Sequence, residues 1–155
     1  MDPTICRCQN ETMTILLREI EYADAEPAAA LSAQFGYPVE PSVMKQRIQR
    51  LAREHHTVIV ASNAGIVVGW IDVGSVAHLQ SGEYAEIGGL VVSETYRSQG
   101  VGAQLVGAAE RWAQERGFGR ILVRSQIARD AAHRFYLRQG YAQTKTSAVF
   151  VKALG

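Results

Sequence analysis

The chain has 155 residues, of which 47% are hydrophobic and 20% charged, with a formal net charge of +1. That is ordinary globular material, long enough for one domain with a sizeable core. No apolar run approaches the roughly 20 residues of a membrane span, and the basic residues are scattered rather than massed on one element, which argues against nucleic acid.

The elements can be taken in chain order. Residues 1–11, within "MDPTICRCQNET", lack a basic region followed by an apolar stretch, so they read as a flexible tail rather than a secretory signal. Cys6 and Cys8 are the only cysteines, and no Cys or His pair follows at a zinc spacing. They read as unpaired thiols of a cytoplasmic protein, with no metal expected.

A single domain is expected over 12–155. "MTILLREI" reads as a first strand, and "ADAEPAAALSAQFG" as a helix with Asp24 as its cap and Pro27 in its first turn. "PSVMKQRIQRLAREHH" reads as a second helix with Met44, Ile48, Leu51 and Ala52 on one face, ending at His55-His56. "TVIVAS" and "IVVGWIDV", joined at "NAG", form a hairpin.

"SVAHLQSGEY" contains a loop, and the apolar "AEIGGLVV" is a central fourth strand. In "VGAQLVGAAERWAQERG", Val101, Leu105, Ala108, Ala109 and Trp112 line one side of a helix. "RILVRSQ" follows as a strand and "RDAAHRFYLRQ" as a helix ended by Gly140. "YAQTKT" and "SAVFVKAL" then make a closing antiparallel pair. The sum is an α/β (α+β) fold with a mixed sheet of about seven strands and about four helices. The unit from Leu90 to Val123 is a parallel pair with a right-handed crossover.

The stretch "YRSQGVG" sits where the first strand of that unit turns into its helix. Glycine at 100 and 102 lets an anion approach the unpaired amides of a helix N-terminus, and Arg97 adds a permanent charge. A dinucleotide fingerprint would need a third glycine where Leu105 stands, and a Walker loop would need Gly-Lys-Ser/Thr. Neither is present.

Arg-x-x-Gly-x-Gly after "GLVV" resembles the coenzyme loop of the GNAT N-acetyltransferases. "ARDAAHRFYLRQGY" resembles that family's second block, through Ala132, Phe135, Tyr136, Gly140 and Tyr141. The order of elements is similar from about Thr12 to Leu154. The resemblance implies an acetyl-CoA-dependent transfer of acetyl to a primary amine by direct attack. It also implies that the fourth and fifth strands splay apart, so that Leu90, Val91 and Val92 offer backbone to the pantetheine arm. Gly88-Gly89 are suited to the bulge that starts the splay. The loop Arg97, Ser98, Gln99, Gly100, Val101 and Gly102 would hold the diphosphate.

By the same resemblance, a backbone N–H near Val91 or Val92 meets the oxyanion and Tyr136 protonates the departing thiolate. Glu86 is the base, eleven residues before Arg97, where the histone-acetylating branch carries a glutamate, with Glu83 or water as fallback. Strand alternation puts Glu86, Gly88, Leu90 and Val92 on one face unless a bulge intervenes. Gln126 stands where many relatives have a cofactor-holding Asn, and Arg129 matches a position often basic. Ser98 replaces the commoner glycine, a change that only the backbone conformation would feel.

Residues 1–40 hold two basic and seven acidic side chains, and the remainder fourteen and eight. The acidic stretch Glu19 to Glu40 belongs to the first strand and the two helices that usually wall the acceptor site in such folds, which hints at a cationic amine. Dimerisation is common among such relatives, so a homodimer is a further expectation. The competing reading is a regulatory or interaction protein that binds acetyl-CoA without turnover.

Overall fold

The structure, a computed structural model, describes residues 12–155. The expected tail at 1–11, with Cys6 and Cys8, lies outside the described residues. The chain runs β1 (Ile15–Glu19), α1 (Ala25–Gln34), α2 (Pro41–Gln49), β2 (His56–Asn63), β3 (Ile66–His78), β4 (Gly82–Val92), α3 (Val101–Glu115), β5 (Ile121–Val123) and α4 (Asp130–Arg138). The sheet follows sequence order, β1 to β5. Neighbours are antiparallel except for β4 and β5, which run parallel because α3 carries the chain back between them.

Local chemistry sets these boundaries. Ahead of α1 the Asp24 carboxylate accepts from both Arg18 Nη atoms, at 2.7 and 2.9 Å, and from the Glu21 N–H at 2.8 Å. It therefore clamps the entry turn to β1 instead of capping α1 directly as the sequence suggests. The turn between β2 and β3 places Ala64 at φ 49° and Gly65 at φ 81°. Both central residues are thus left-handed, as in the mirror-image turns that match strand twist.

Side chains from the two sheet faces bury separate clusters. One face packs Ile71, Val73, Ala85 and Ile87 under Leu105, Ala109 and Trp112 of α3, the stripe expected from the helical spacing. The other packs Val58, Val60, Val67 and Val91 against Ala28, Leu31 and Ile48 of α1 and α2.

Three expectations need correction. Helix α2 stops at Gln49, and His56 opens β2, where its ring meets Asp72 across the sheet at 2.6 Å. Strands β3 and β4 extend to His78 and from Gly82, leaving only three residues of the expected loop. Buried Tyr84 stacking on His78, with ring centroids 6.0 Å apart, ties that extension down. Finally, the sheet has five strands rather than about seven, because residues 142–155 form neither helix nor strand and are exposed throughout. Their apolar pattern is strand-like, but nothing in their own chain covers it.

Candidate active site

Pairing between β4 and β5 covers only Ala85–Ile87 against Ile121–Val123. Beyond it the strands part. The reason lies one residue later, where Ile87 pairs with Val73 and Gly89 with Asp72, leaving Gly88 without a partner on β3. That extra residue is a bulge, and it bends β4 away. A cleft of about 840 Å³ opens in the gap.

The cleft brings together most of the residues expected from sequence. Leu90, Val91 and Val92 line it from β4, Arg97, Ser98, Gly100 and Gly102 from the loop, and Gln126, Arg129 and Tyr136 from the far wall. Three expected residues lie elsewhere. The Gln99 side chain turns back to donate to the Thr95 carbonyl at 2.9 Å. Val101 is buried in the core beneath the helix start.

Glu86 is absent from the lining and pairs with Arg124 Nε, itself in the wall, at 3.5 Å. The bulge also breaks the alternation. Glu86 shares its face with Gly89 and Val91, through their partners Gly74, Asp72 and Trp70, whereas Leu90 and Val92 face the α3 side with Ile71 and Gly69.

The loop glycines meet two different demands. Gly100 caps α3 at φ 83° with nothing within 4 Å of where a Cβ would stand, so its backbone angle is what requires glycine. At Gly102 a Cβ would sit 3.3 Å from the Phe135 ring, so close packing of α3 on α4 adds to ligand approach. Ser98 takes φ 62°, a left-handed angle in a non-glycine residue. The backbone does feel that departure from glycine.

Tyr136 stands between Phe135 and Tyr141, with centroids 5.1 and 5.7 Å away. Burial pushes its phenol above the ordinary value, only partly opposed by the Arg129 charge. It therefore stays protonated at neutral pH.

Several lining residues escape sequence reasoning. Phe35, just past α1, lies under the guanidinium groups of Arg97 and Arg129, at 4.9 and 5.8 Å from its centroid, and so links both walls. Trp70 closes the floor against Gly89 and donates to the Ala28 carbonyl at 3.3 Å. Ser125 Oγ is buried with no hydrogen-bond partner among the described residues, beside the cleft.

Asp72 carries the one signal that was readable: an acid inside the apolar run "VVGWIDV". Its Oδ1 would lie 3.0 Å from a Cβ at Gly88 and bonds His56, which raises the His56 pKa. Asp72 and Glu86 thus flank the bulge on the α1–α2 side.

A cleft open along a strand edge at one end, and closed at the other by a glycine turn on a helix N-terminus, defines a site for a long ligand bearing an anionic group. Residues 21–141 match the acetyltransferase (GNAT) family. The chain belongs to that family. It is 40% identical over 96 residues to an aminoalkylphosphonate N-acetyltransferase of Salmonella typhimurium, covering 61% of each chain, so less than two thirds of that relative is matched. An aminoglycoside N(6')-acetyltransferase of Serratia marcescens is 28% identical over 68% of this chain and 75% of its own. Among solved structures, an aminoglycoside N-acetyltransferase in complex with CoA superposes with a TM-score of 0.80 at 17% identity. That superposition covers 94% of this chain and 99% of the other, and shows a shared fold.

Proposed function

We propose that the chain is an acetyl-CoA-dependent N-acetyltransferase acting on a small primary amine. The observation that carries this reading is the parting of β4 from β5 at Gly88, which exposes strand backbone to a cleft that ends at the α3 N-terminus. Acetyl-CoA supplies an activated acetyl thioester when bound, and the residues present fit it. The free edge of Gly89–Val92 offers amides and carbonyls to the pantetheine arm. The loop from Arg97 to Gly102, with Gln126, Arg129 and the unpartnered Ser125 hydroxyl, suits the polar remainder.

Tyr136, kept protonated by burial, donates a proton to the departing sulfur. An N–H near Val91 or Val92 supports the charge on the reacting carbonyl oxygen. The acceptor enters from the α1–α2 side, where Asp72 and Glu86 favour a cation. Because Glu86 stands outside the lining and is held by Arg124, it serves as base through water rather than by contact. Glu83, exposed at the start of β4 and five residues before the bulge, is too far along the strand to compete. The reading puts the chain in the cytoplasm, where acetyl-CoA is found. Among the described residues no helix is long and apolar enough to cross a membrane.

Calorimetric titration with acetyl-CoA tests the site, with Gly100→Asp as the partner variant. The parent binds and the variant, still folded by its melting curve, does not. Thiol release is then followed over aminoalkylphosphonates, aminoglycosides, polyamines and peptide amines. A folded parent that binds no acetyl-CoA overturns the reading; binding with no turnover on any amine leaves a regulatory protein instead.

A further inference from the structure

One ring of the α1–α2 turn gathers two arginines that are far apart in sequence. Arg97 comes from the loop ahead of α3, and Arg129 is the residue ahead of α4. Both guanidinium groups lie over Phe35, their carbons 4.9 and 5.8 Å from its centroid. Two like charges gathered on one ring repel each other. The exposed Glu94 stands 4.0 Å from Arg97, but the cleft lining itself holds four arginines and no carboxylate among the described residues. The ring is therefore what answers both charges at once.

The ring is fixed where it stands. Past the end of α1 at Gln34, the Phe35 N–H donates to the Ser32 carbonyl at 3.1 Å, and Gly36 turns the chain at φ 85°. Ser32 Oγ then closes the turn by donating to the Tyr37 carbonyl at 2.7 Å. Phe35 also packs against the cluster that contains Ala28, Leu31 and Ile48. Beside it, the Gln34 side-chain oxygen accepts from the Glu94 N–H at 3.4 Å. The turn thus meets the segment between β4 and α3 through two neighbouring residues.

We propose that Phe35 is a positioning residue for the coenzyme's phosphates, its ring gathering Arg97 and Arg129 before the coenzyme arrives. The proposal rests on the acetyl-CoA reading above. The negative face of an aromatic ring attracts a cation. A guanidinium stacked on that face keeps its N–H groups in its own plane, free for phosphate oxygens. Without the ring, repulsion and rotamer freedom scatter two long side chains, and binding has to order them again. With it, the phosphates meet an arrangement of charge that is already made.

Calorimetry with acetyl-CoA tests this on the full chain, with position 35 carrying phenylalanine or its analogues with one, two or three ring fluorines. Fluorination drains the negative face and nearly keeps the ring's size and apolar character. The expected result is a Kd that rises with each fluorine, to about tenfold with three. In the Arg97→Gln, Arg129→Gln chain the same series leaves Kd flat. A flat series in the parent overturns the proposal. So does a Kd that falls with fluorination, because the ring then holds the arginines back from the phosphates. An equal rise in the chain with both Gln substitutions overturns it too, because the ring then acts by packing. Should that chain bind too weakly to measure, the parent series decides alone. A folded parent that binds no acetyl-CoA removes the reading beneath the proposal; every other overturning result strikes Phe35 and leaves that reading standing.

Discussion

Helices α3 and α4 both flank the cleft, yet they are held in opposite ways. Seven of the fifteen residues of α3 are buried, and they include Leu105 at full burial, whereas none of the nine residues of α4 is buried. α3 therefore carries stability and offers the cleft mainly its first turn. α4 carries Tyr136 and leans on the cleft with a half-buried aromatic face. Stability and chemistry are largely assigned to different helices, so substitutions can separate them.

The sharpest test of that division is a matched pair. Leu105→Ala leaves a cavity in a packed face and lowers unfolding free energy by about 2–5 kcal/mol in denaturant titrations. Leu137→Ala, on exposed α4, changes it by less than about 0.5 kcal/mol. Equal costs would break the comparison.

Tyr136→Phe reverses the roles. It leaves the melting temperature near that of the parent and lowers kcat by about a hundredfold, with acetyl-CoA affinity much less affected. Steady-state rates set against calorimetry check this, and an undiminished kcat removes Tyr136 from the proton transfer.

A smaller effect lies away from the cleft, at the entry to α1. Asp24→Asn breaks a paired and largely buried carboxylate and costs about 2 kcal/mol at neutral pH. The Arg18 bond holds the Asp24 pKa below its ordinary range in the folded chain. Its contribution is therefore full above the unfolded value of about 3.9 and is lost as pH falls through the folded value. The difference between parent and variant should shrink on acidification; a constant difference would mean that packing, not charge, holds the turn.

The smallest shift is a gain. Ser98→Gly relieves a left-handed angle at φ 62° and raises stability by about 1 kcal/mol, read as a higher denaturation midpoint. No gain would show that Ser98 is compensated by contacts beyond its backbone.

The family, the sheet with its parallel β4–β5 pair and most of the cleft residues were legible because they depend on local pattern: apolar periodicity, a glycine turn and the Phe135-Tyr136 block. The rest depended on contacts between distant segments. Nothing near His56 in sequence shows that Asp72 will draw it into a strand, and nothing near Phe35 shows two arginines arriving from other elements. Glu86 illustrates the same limit. Simple alternation set it beside Leu90, and one unpaired residue on β4 reversed that relation. The closing strand pair rested on residue pattern alone, and residues 142–155 form no strand in the structure.

The extra residue at Gly88 works like a dropped beat in a two-beat measure. Positions before it and after it keep opposite time, so two sequences matched by odd-and-even count agree on only one side of it. Deleting that single glycine would not shorten the cleft so much as exchange the two faces of β4 beyond it. Leu90 and Val92, now on the α3 side, would turn to the α1–α2 side, and Val91 would turn the opposite way.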